Sequence, residues 1–124
     1  MTTTETNTTT TADRIVDIYL AAFNEADRTT RLSLLEQAFT PEAHYVDPLA
    51  DVTGFDGIAD MIEGLRAQFP GAALQRNGDI DAHHNLFRFP WSATGPDGAV
   101  IVAGIDVCVT ADDGRVQALA GFFG

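Results

Sequence analysis

Two aspartates stand at positions where a carboxylate could take part in proton transfer. Asp47 follows a short strand-like run and precedes Pro48, which ends that run. Asp106 lies within "AVIVAGIDVCV", where both faces of the alternating pattern are apolar. A charged carboxylate there costs several kcal/mol unless a cation neutralises it, and this segment contains no Lys or Arg. Asp106 should therefore find a cation elsewhere or hold its proton.

A helix that carries a tyrosine is predicted over "ADRIVDIYLAAFNEAD". Ile15, Tyr19 and Phe23 recur every four positions, which predicts a wide buried stripe on one side of the helix. Tyr19 therefore faces the interior, where its hydroxyl needs a hydrogen-bond partner.

Two further helices follow in the first half of the chain. In "TRLSLLEQAFTPEA", apolar residues recur as far as Phe39, and Pro41 is predicted to stop the helix. In "GFDGIADMIEGLRAQFPG", a third stripe is ended by "PG", and Asp56 is a candidate N-cap. The short run before Pro48 separates these two helices as a strand.

The second half of the chain changes to a period of two. "IDAHHNLFRFPWSATG" alternates with its aromatic residues on one face, and "GPDG" and "DDG" form turns that lead into "AVIVAGIDVCV" and "RVQALAGFFG". A weaker strand is predicted around residues 73–79. Helices early and strands late predict an α+β fold, with three helices on one face of a strongly curved, mostly antiparallel sheet. Such a sheet can leave a pocket between itself and the helices.

Length and charge restrict the domain organisation and the partners. The opening "MTTTETNTTTT", residues 1–11, has nothing to bury and is predicted to be a disordered tail, and residues 12–124 suit a single domain. The net charge of −11, with seven Lys and Arg in total, argues against nucleic-acid and anionic-membrane partners. An apolar small molecule fits this composition better.

No cofactor or metal site is predicted. His83 and His84 are adjacent in a strand, so they should point to opposite faces and should not share a metal, although one could line the pocket. No phosphate loop or dinucleotide fingerprint surrounds the glycines. Cys108, the single cysteine, is expected in the core and can form no internal disulfide, which favours a cytoplasmic location.

Several segments together resemble the bacterial ketosteroid isomerases, within the NTF2-like and SnoaL-like superfamily. They are "IYLAAFNEAD", "HYVDPLADVTG", "IVAGIDVCV" and "GRVQALAGFFG". The resemblance covers nearly everything after the tail and implies an NTF2-like cone. It departs from the isomerases in lacking the extra tyrosines that brace the oxyanion-hole tyrosine in some members.

The resemblance implies a role for each of the three polar residues. Tyr19 and a protonated Asp106 correspond to the two oxyanion-hole donors, and Asp47 corresponds to the general base. It also implies a pocket for a steroid-like or polyketide-like ligand and a homodimer. The substrate-binding residues expected for that pocket are Phe123, Leu119, Gly121, Phe23 and Trp91.

The chemistry that these residues allow is a proton shift next to a carbonyl. Such a shift needs a base within reach of the carbon and donors aimed at the oxygen where charge develops. Each residue also has an ordinary interpretation: Tyr19 as a core tyrosine, Asp47 as a turn residue that caps its own backbone, and Asp106 as a buried hydrogen-bond partner of Tyr19. The function classes left open are a steroid isomerase-like enzyme, a SnoaL-like cyclase or hydratase, an epoxide hydrolase-like enzyme with an Asp/Arg/Asp set, and a non-catalytic binding or dimerisation module.

Overall fold

The structure, a computed structural model, describes the backbone of residues 3–124 and the side chains of residues 11–124. In this part of the chain, three helices precede most of the strands. The helices are α1 (Thr3–Asn24), α2 (Arg28–Ala38) and α3 (Gly54–Gln68). The strands are β1 (Phe39–Asp47), β2 (Ala50–Thr53), β3 (Ala73–Arg76), β4 (Asp81–His83), β5 (Leu86–Thr94), β6 (Val100–Thr110) and β7 (Val116–Phe123).

The first helix begins earlier than the sequence predicts. α1 starts at Thr3 and so includes most of the segment 1–11 predicted as a tail; residues 1 and 2 lie outside the described residues. Threonine is a modest helix former, with a penalty below about 0.7 kcal/mol per residue relative to Ala. A helix already held by buried residues after Thr11 can be extended at that small cost, because only nucleation is expensive.

The second helix is shorter than predicted. α2 ends at Ala38, so Phe39 and Pro41 lie in β1 rather than in the helix. The pairing of β1 with β7 is irregular between Phe39 and His44. Pro41 falls within that irregular stretch. Proline has no N–H to donate to a neighbouring strand, so a strand tolerates it where regular hydrogen bonding is interrupted.

The segment after Asp47 also differs from the prediction. Ala50–Thr53 forms β2, which pairs antiparallel with β1 and was not predicted from the sequence. Thr53 occupies the N-cap position of α3, so Asp56 is not the N-cap but lies in the first turn, where its charge still favours the helix N-terminus. Gly54 has a φ of +80°, which lets the chain turn sharply from β2 into α3.

The strands form one curved sheet. The order across it is β2-β1-β7-β6-β5-β3, with β4 paired to β5 beside β3. Only the β1–β7 pair is parallel among the described strands, and the other pairs are antiparallel. The α+β class, the three helices and the mostly antiparallel sheet that the sequence predicts are therefore confirmed.

The two faces of the sheet differ sharply. The aromatic side chains of β5 that alternate at Phe87, Phe89 and Trp91 all face inward and are buried under the helices. The outer face carries Ile105 and Phe122, which pair across β6 and β7 and are 46% and 60% exposed. The homodimer predicted from the sequence would bury this outer face. No helix among residues 3–124 combines the length and the hydropathy needed to cross a membrane.

Candidate active site

A cavity of about 360 Å³ lies between the helices and the inner face of the sheet. Tyr19, Asp47 and Asp106 all line it, so the three residues singled out from the sequence meet in one place. Most of the remaining wall is apolar, from α3 and from strands β3, β5 and β6. The volume lies within the range of small-molecule pockets.

Asp106 is buried at the inner end of this cavity and accepts hydrogen bonds on both oxygens. The Tyr19 hydroxyl donates to Oδ2 at 2.6 Å, and Trp91 Nε1 donates to Oδ1 at 3.0 Å. Burial raises the pKa of Asp106 to about 6, against the lowering effect of these two hydrogen bonds, and the charge of Asp47 adds to the rise. Asp106 therefore holds its proton to a higher pH than an exposed aspartate does.

Tyr19 is held by aromatic neighbours as well as by Asp106. The rings of Phe23, Phe39 and Phe89 meet its ring edge-on, at centroid distances of 4.9, 5.6 and 5.9 Å. Burial, followed by the nearby Asp106, raises the pKa of Tyr19 well above its ordinary value. The hydroxyl therefore keeps its proton and can act as a donor.

Asp47 occupies the rim of the cavity at the end of β1. The Tyr45 hydroxyl donates to its Oδ2 at 2.6 Å, and the Leu49 N–H donates to its Oδ1 at 2.8 Å. The bond from Leu49 is the one expected if Asp47 is a turn residue that caps its own backbone. Asp47 therefore both forms the turn and lines the cavity. Its side chain is partly exposed, in contrast to Asp106.

Tyr45 is a cavity residue that the sequence analysis missed. Its side chain is 4% exposed, it lines the cavity, and burial together with the hydrogen bond to Asp47 raises its pKa. The available signal was its spacing, because residues two apart on a strand point to the same face. Tyr45 and Asp47 are two apart on β1, as an inward-facing pair.

Gly121 separates the two aspartates without contributing a side chain. Its strand, β7, lies between β1 and β6, and a Cβ at this position would come within 2.8 Å of Asp106 Oδ1 and 3.1 Å of Asp47 Cβ. Gly121 is therefore a spacing residue rather than a wall of the cavity, from whose lining it is absent. Leu119, also expected at the wall, is instead buried in the core, where it pairs with Tyr45 and Cys108 on the flanking strands.

Comparison with known proteins identifies the family. A SnoaL-like domain matches residues 16–119. A "putative isomerase of the SnoaL-like family" from Agrobacterium tumefaciens is 40% identical, with 93% of this chain and 98% of that chain covered and a TM-score of 0.88. This chain belongs to the SnoaL-like family.

More distant structures share the fold. An NTF2-like protein of unknown function from Exiguobacterium is 19% identical over 92% of this chain and 98% of its own, with a TM-score of 0.67. A "putative SnoaL-like polyketide cyclase" from Jannaschia is 17% identical over 90% and 85%, also with a TM-score of 0.67. No curated protein matches the sequence significantly. The NTF2-like cone expected from the sequence is therefore confirmed as the fold of this SnoaL-like chain.

The other expected binding residues of this SnoaL-like chain line the cavity. Phe23, Trp91 and Phe123 all form part of its wall, and the rings of Trp91 and Phe123 meet edge-on at 5.9 Å. Trp91 has a second role that was not anticipated, as the donor to Asp106. Phe123 is 38% exposed and so stands at the opening.

The arginines that could pair with Asp106 or complete an Asp/Arg/Asp set come next. Arg88 pairs with Asp81 and Arg115 with Asp113, so neither of these arginines neutralises Asp106. No salt bridge of the described residues joins an arginine to Asp47 or Asp106, so the Asp/Arg/Asp set of an epoxide hydrolase is not assembled.

The histidine prediction was wrong in its geometry. His84 has a φ of 51° in the turn after β4, which brings its Nδ1 within 3.1 Å of His83 Nδ1 instead of placing the rings on opposite faces. Neither histidine lines the cavity. Within residues 11–124, no three His, Cys, Asp or Glu side chains cluster as a metal site would require. Cys108 is fully buried, as predicted, and burial raises the pKa of its thiol.

Proposed function

We propose that this SnoaL-like protein is a small-molecule isomerase that moves a proton from the carbon next to a carbonyl group. The observation that carries the proposal is the meeting of Tyr19, Asp106 and Asp47 in one largely apolar cavity. The first two form a hydrogen-bonded pair at one end, and the third is a carboxylate at the rim. The 40% identical relative named as an isomerase adds support.

In the proposed reaction, Asp47 takes the proton from the α-carbon of an unsaturated ketone. The electron pair of the broken C–H bond moves into the carbonyl, and negative charge develops on its oxygen. Asp47 then returns the same proton to the γ-carbon, so the double bond moves into conjugation and no oxidant or cofactor is consumed. Proton transfer by a positioned carboxylate contributes about 10²–10⁴-fold to a rate.

Tyr19 supplies the hydrogen bond to the developing enolate oxygen. In the free protein its hydroxyl donates to Asp106, which therefore competes with the ligand for the same proton. Protonation of Asp106 removes this competition and turns the carboxylic acid into a donor itself. Trp91 holds the other oxygen of Asp106, which orients the carboxyl group in either state.

The activity is tested with a β,γ-unsaturated 3-ketosteroid, whose conversion to the conjugated ketone raises ultraviolet absorbance. We expect turnover by the wild-type protein. A planar phenol, which resembles the enolate, should bind in the same cavity and inhibit competitively. Absence of both turnover and phenol binding would contradict the proposal and favour a non-catalytic binding module. Phenol binding without turnover of any cyclic ketone would favour the cyclase alternative, in which the same donors stabilise an enolate that attacks within its own molecule.

A further inference from the structure

Among residues 11–124, one cation, Arg66, lines the otherwise apolar and acidic cavity. It lies on α3 and is partly buried. Ile62 and Leu65 of α3 and Phe69 at its C-cap also line the cavity, and they are spaced with Arg66 along one side of the helix. Arg66 is thus directed to the ligand space by the same helical face that forms the apolar wall.

Most arginines of this protein form ion pairs with carboxylates in the described part of the chain, and Arg66 does not. The chain has seven arginines and no lysine, against eighteen Asp and Glu. Five of them contact a carboxylate within 4.0 Å: Arg28, Arg31, Arg76, Arg88 and Arg115. Among the described residues, Arg66 and Arg14 have no such contact, and Arg14 is exposed on α1 outside the cavity. An arginine that contacts no carboxylate of residues 11–124 and lines a cavity, in a chain of charge −11, leaves a positive charge for a ligand to neutralise.

Its contact with the protein uses little of its donor capacity. Arg66 Nη1 donates to the carbonyl of Phe23 at 3.4 Å, which is long for a hydrogen bond. A guanidinium has five N–H donors in a planar fork that matches a carboxylate, so most of the donors of Arg66 remain free for a ligand. The contact also places the guanidinium at the last turn of α1, one turn beyond Tyr19.

We propose that Arg66 binds a carboxylate on the substrate, so that the ligand spans the cavity from its carbonyl at Tyr19 to an anionic group at Arg66. This inference rests on the proposed function for the carbonyl end and adds the substrate class: an apolar ketone that carries a carboxylic acid. A single planar negative charge on an apolar body suits a mainly apolar wall with one fork-shaped donor. A doubly charged phosphate would meet stronger repulsion from the acidic protein.

The test compares two fluorescent probes that differ in charge and by one methyl group. 6-Hydroxy-2-naphthoic acid carries a phenol for the oxyanion hole and a carboxylate for Arg66, and its methyl ester keeps the phenol but is neutral. We expect the wild-type protein to bind the acid at least about tenfold more tightly than the ester, since a hydrogen-bonded ion pair typically contributes that much. Equal affinities, or tighter binding of the ester, would overturn the proposal.

Variants assign the preference to a residue. Arg66→Gln should bring the two affinities to within about twofold of each other and leave the ester bound as before. Arg66→Met keeps the apolar stem and serves as a second neutral variant in case the first misfolds. Arg14→Gln, the matched control, removes the other arginine without an ion pair and should keep the full preference for the acid. A preference that survives both neutral variants at Arg66 would also overturn the proposal.

These measurements need no turnover, so they are independent of the isomerase assay. A carboxylate preference that depends on Arg66 in a protein that isomerises no ketone would refute the proposed activity and keep the ligand class. If the protein isomerises a neutral steroid and shows no preference for the acid over the ester, the proposed activity is kept and the carboxylate-bearing ligand class is refuted.

Discussion

The two ends of the cavity place the same side chain in opposite surroundings. Asp106 is 3% exposed and accepts hydrogen bonds only from side chains, from Tyr19 and Trp91. Asp47 is partly exposed and shares its hydrogen bonds between a tyrosine and the backbone of its own turn. Burial disfavours charge at the first site, whereas solvent contact and a backbone donor suit a charged carboxylate at the second. This difference matches the proposed reaction, in which Asp106 carries a proton and Asp47 accepts one.

The largest effect should come from removing the carboxylate at the rim. Asp47→Asn keeps the size of the side chain and one acceptor oxygen but cannot take a proton, so the isomerisation rate should fall by about 10²–10⁴-fold in kcat. Asp51→Asn is a matched control, because Asp51 lies on the neighbouring strand, pairs with His44 and does not line the cavity. Undiminished turnover in Asp47→Asn would mean that Asp47 serves only its turn.

At the buried end, Tyr19→Phe and Asp106→Leu should each slow turnover by about 2–4 kcal/mol in activation free energy, the range for loss of one donor to an oxyanion. The double variant distinguishes two arrangements. If Asp106 acts through the Tyr19 hydroxyl, to which it is hydrogen-bonded, the losses should be far from additive. If both donate directly to the ligand oxygen, the losses should come close to adding. Wild-type rates in either single variant would remove that residue from the oxyanion hole.

The protonation of Asp106 can be measured without any substrate. Because its pKa is raised from 3.8 to about 6, the folded state binds the proton more tightly than the unfolded chain. The stabilisation by this proton is complete below about pH 4 and is lost as the pH rises through 6. A rise of this size corresponds to about 3 kcal/mol.

The measurement is the free energy of unfolding of the wild type relative to Asp106→Asn, taken by urea denaturation from pH 4 to pH 7. The free energy of unfolding of the wild type relative to the variant should fall by about 2 kcal/mol across this range, because the other carboxylates are the same in both proteins. A difference that stays constant with pH would show that Asp106 is ionised throughout, and it could then not donate a hydrogen bond.

The burial of Tyr19 and Asp106 and the order of most elements were predictable because they follow from local patterns. Helical periodicity places Tyr19 on an inward face, the apolar residues on both faces of its strand indicate that Asp106 is buried, and the proline after Asp47 marks a strand end. These features depend on neighbours along the chain. That Tyr19, Asp47 and Asp106 would meet in one cavity was expected only from the resemblance to the ketosteroid isomerases, because their meeting depends on which strands become neighbours.

Three of the misses share a physical cause, since each depends on contacts distant in sequence. Phe39 continues the apolar spacing of α2, yet pairing with Val116 on β7 draws it into a strand. Leu119 alternates along β7 with Gly121 and Phe123 and was therefore expected in the cavity wall. Its position between β1 and β6 buries it in the core instead. The role of Gly121 appears only when Asp47 and Asp106 are seen on either side of it. No local pattern carries this information.

The smallest effect should come from Tyr45, the tyrosine at the rim. Tyr45→Phe removes the hydroxyl that donates to Asp47 Oδ2 and leaves the aromatic ring and the Leu49 N–H contact in place. Loss of one hydrogen bond to a charged group costs about 1.5–3 kcal/mol, and part of that cost should be recovered because Asp47 can reach solvent. We therefore expect kcat to fall by roughly tenfold, with KM little changed, because Tyr45 orients the base rather than the ligand. The split between kcat and KM should distinguish this role from simple packing. A loss that appears mainly in KM would indicate that Tyr45 only shapes the space beside the cavity.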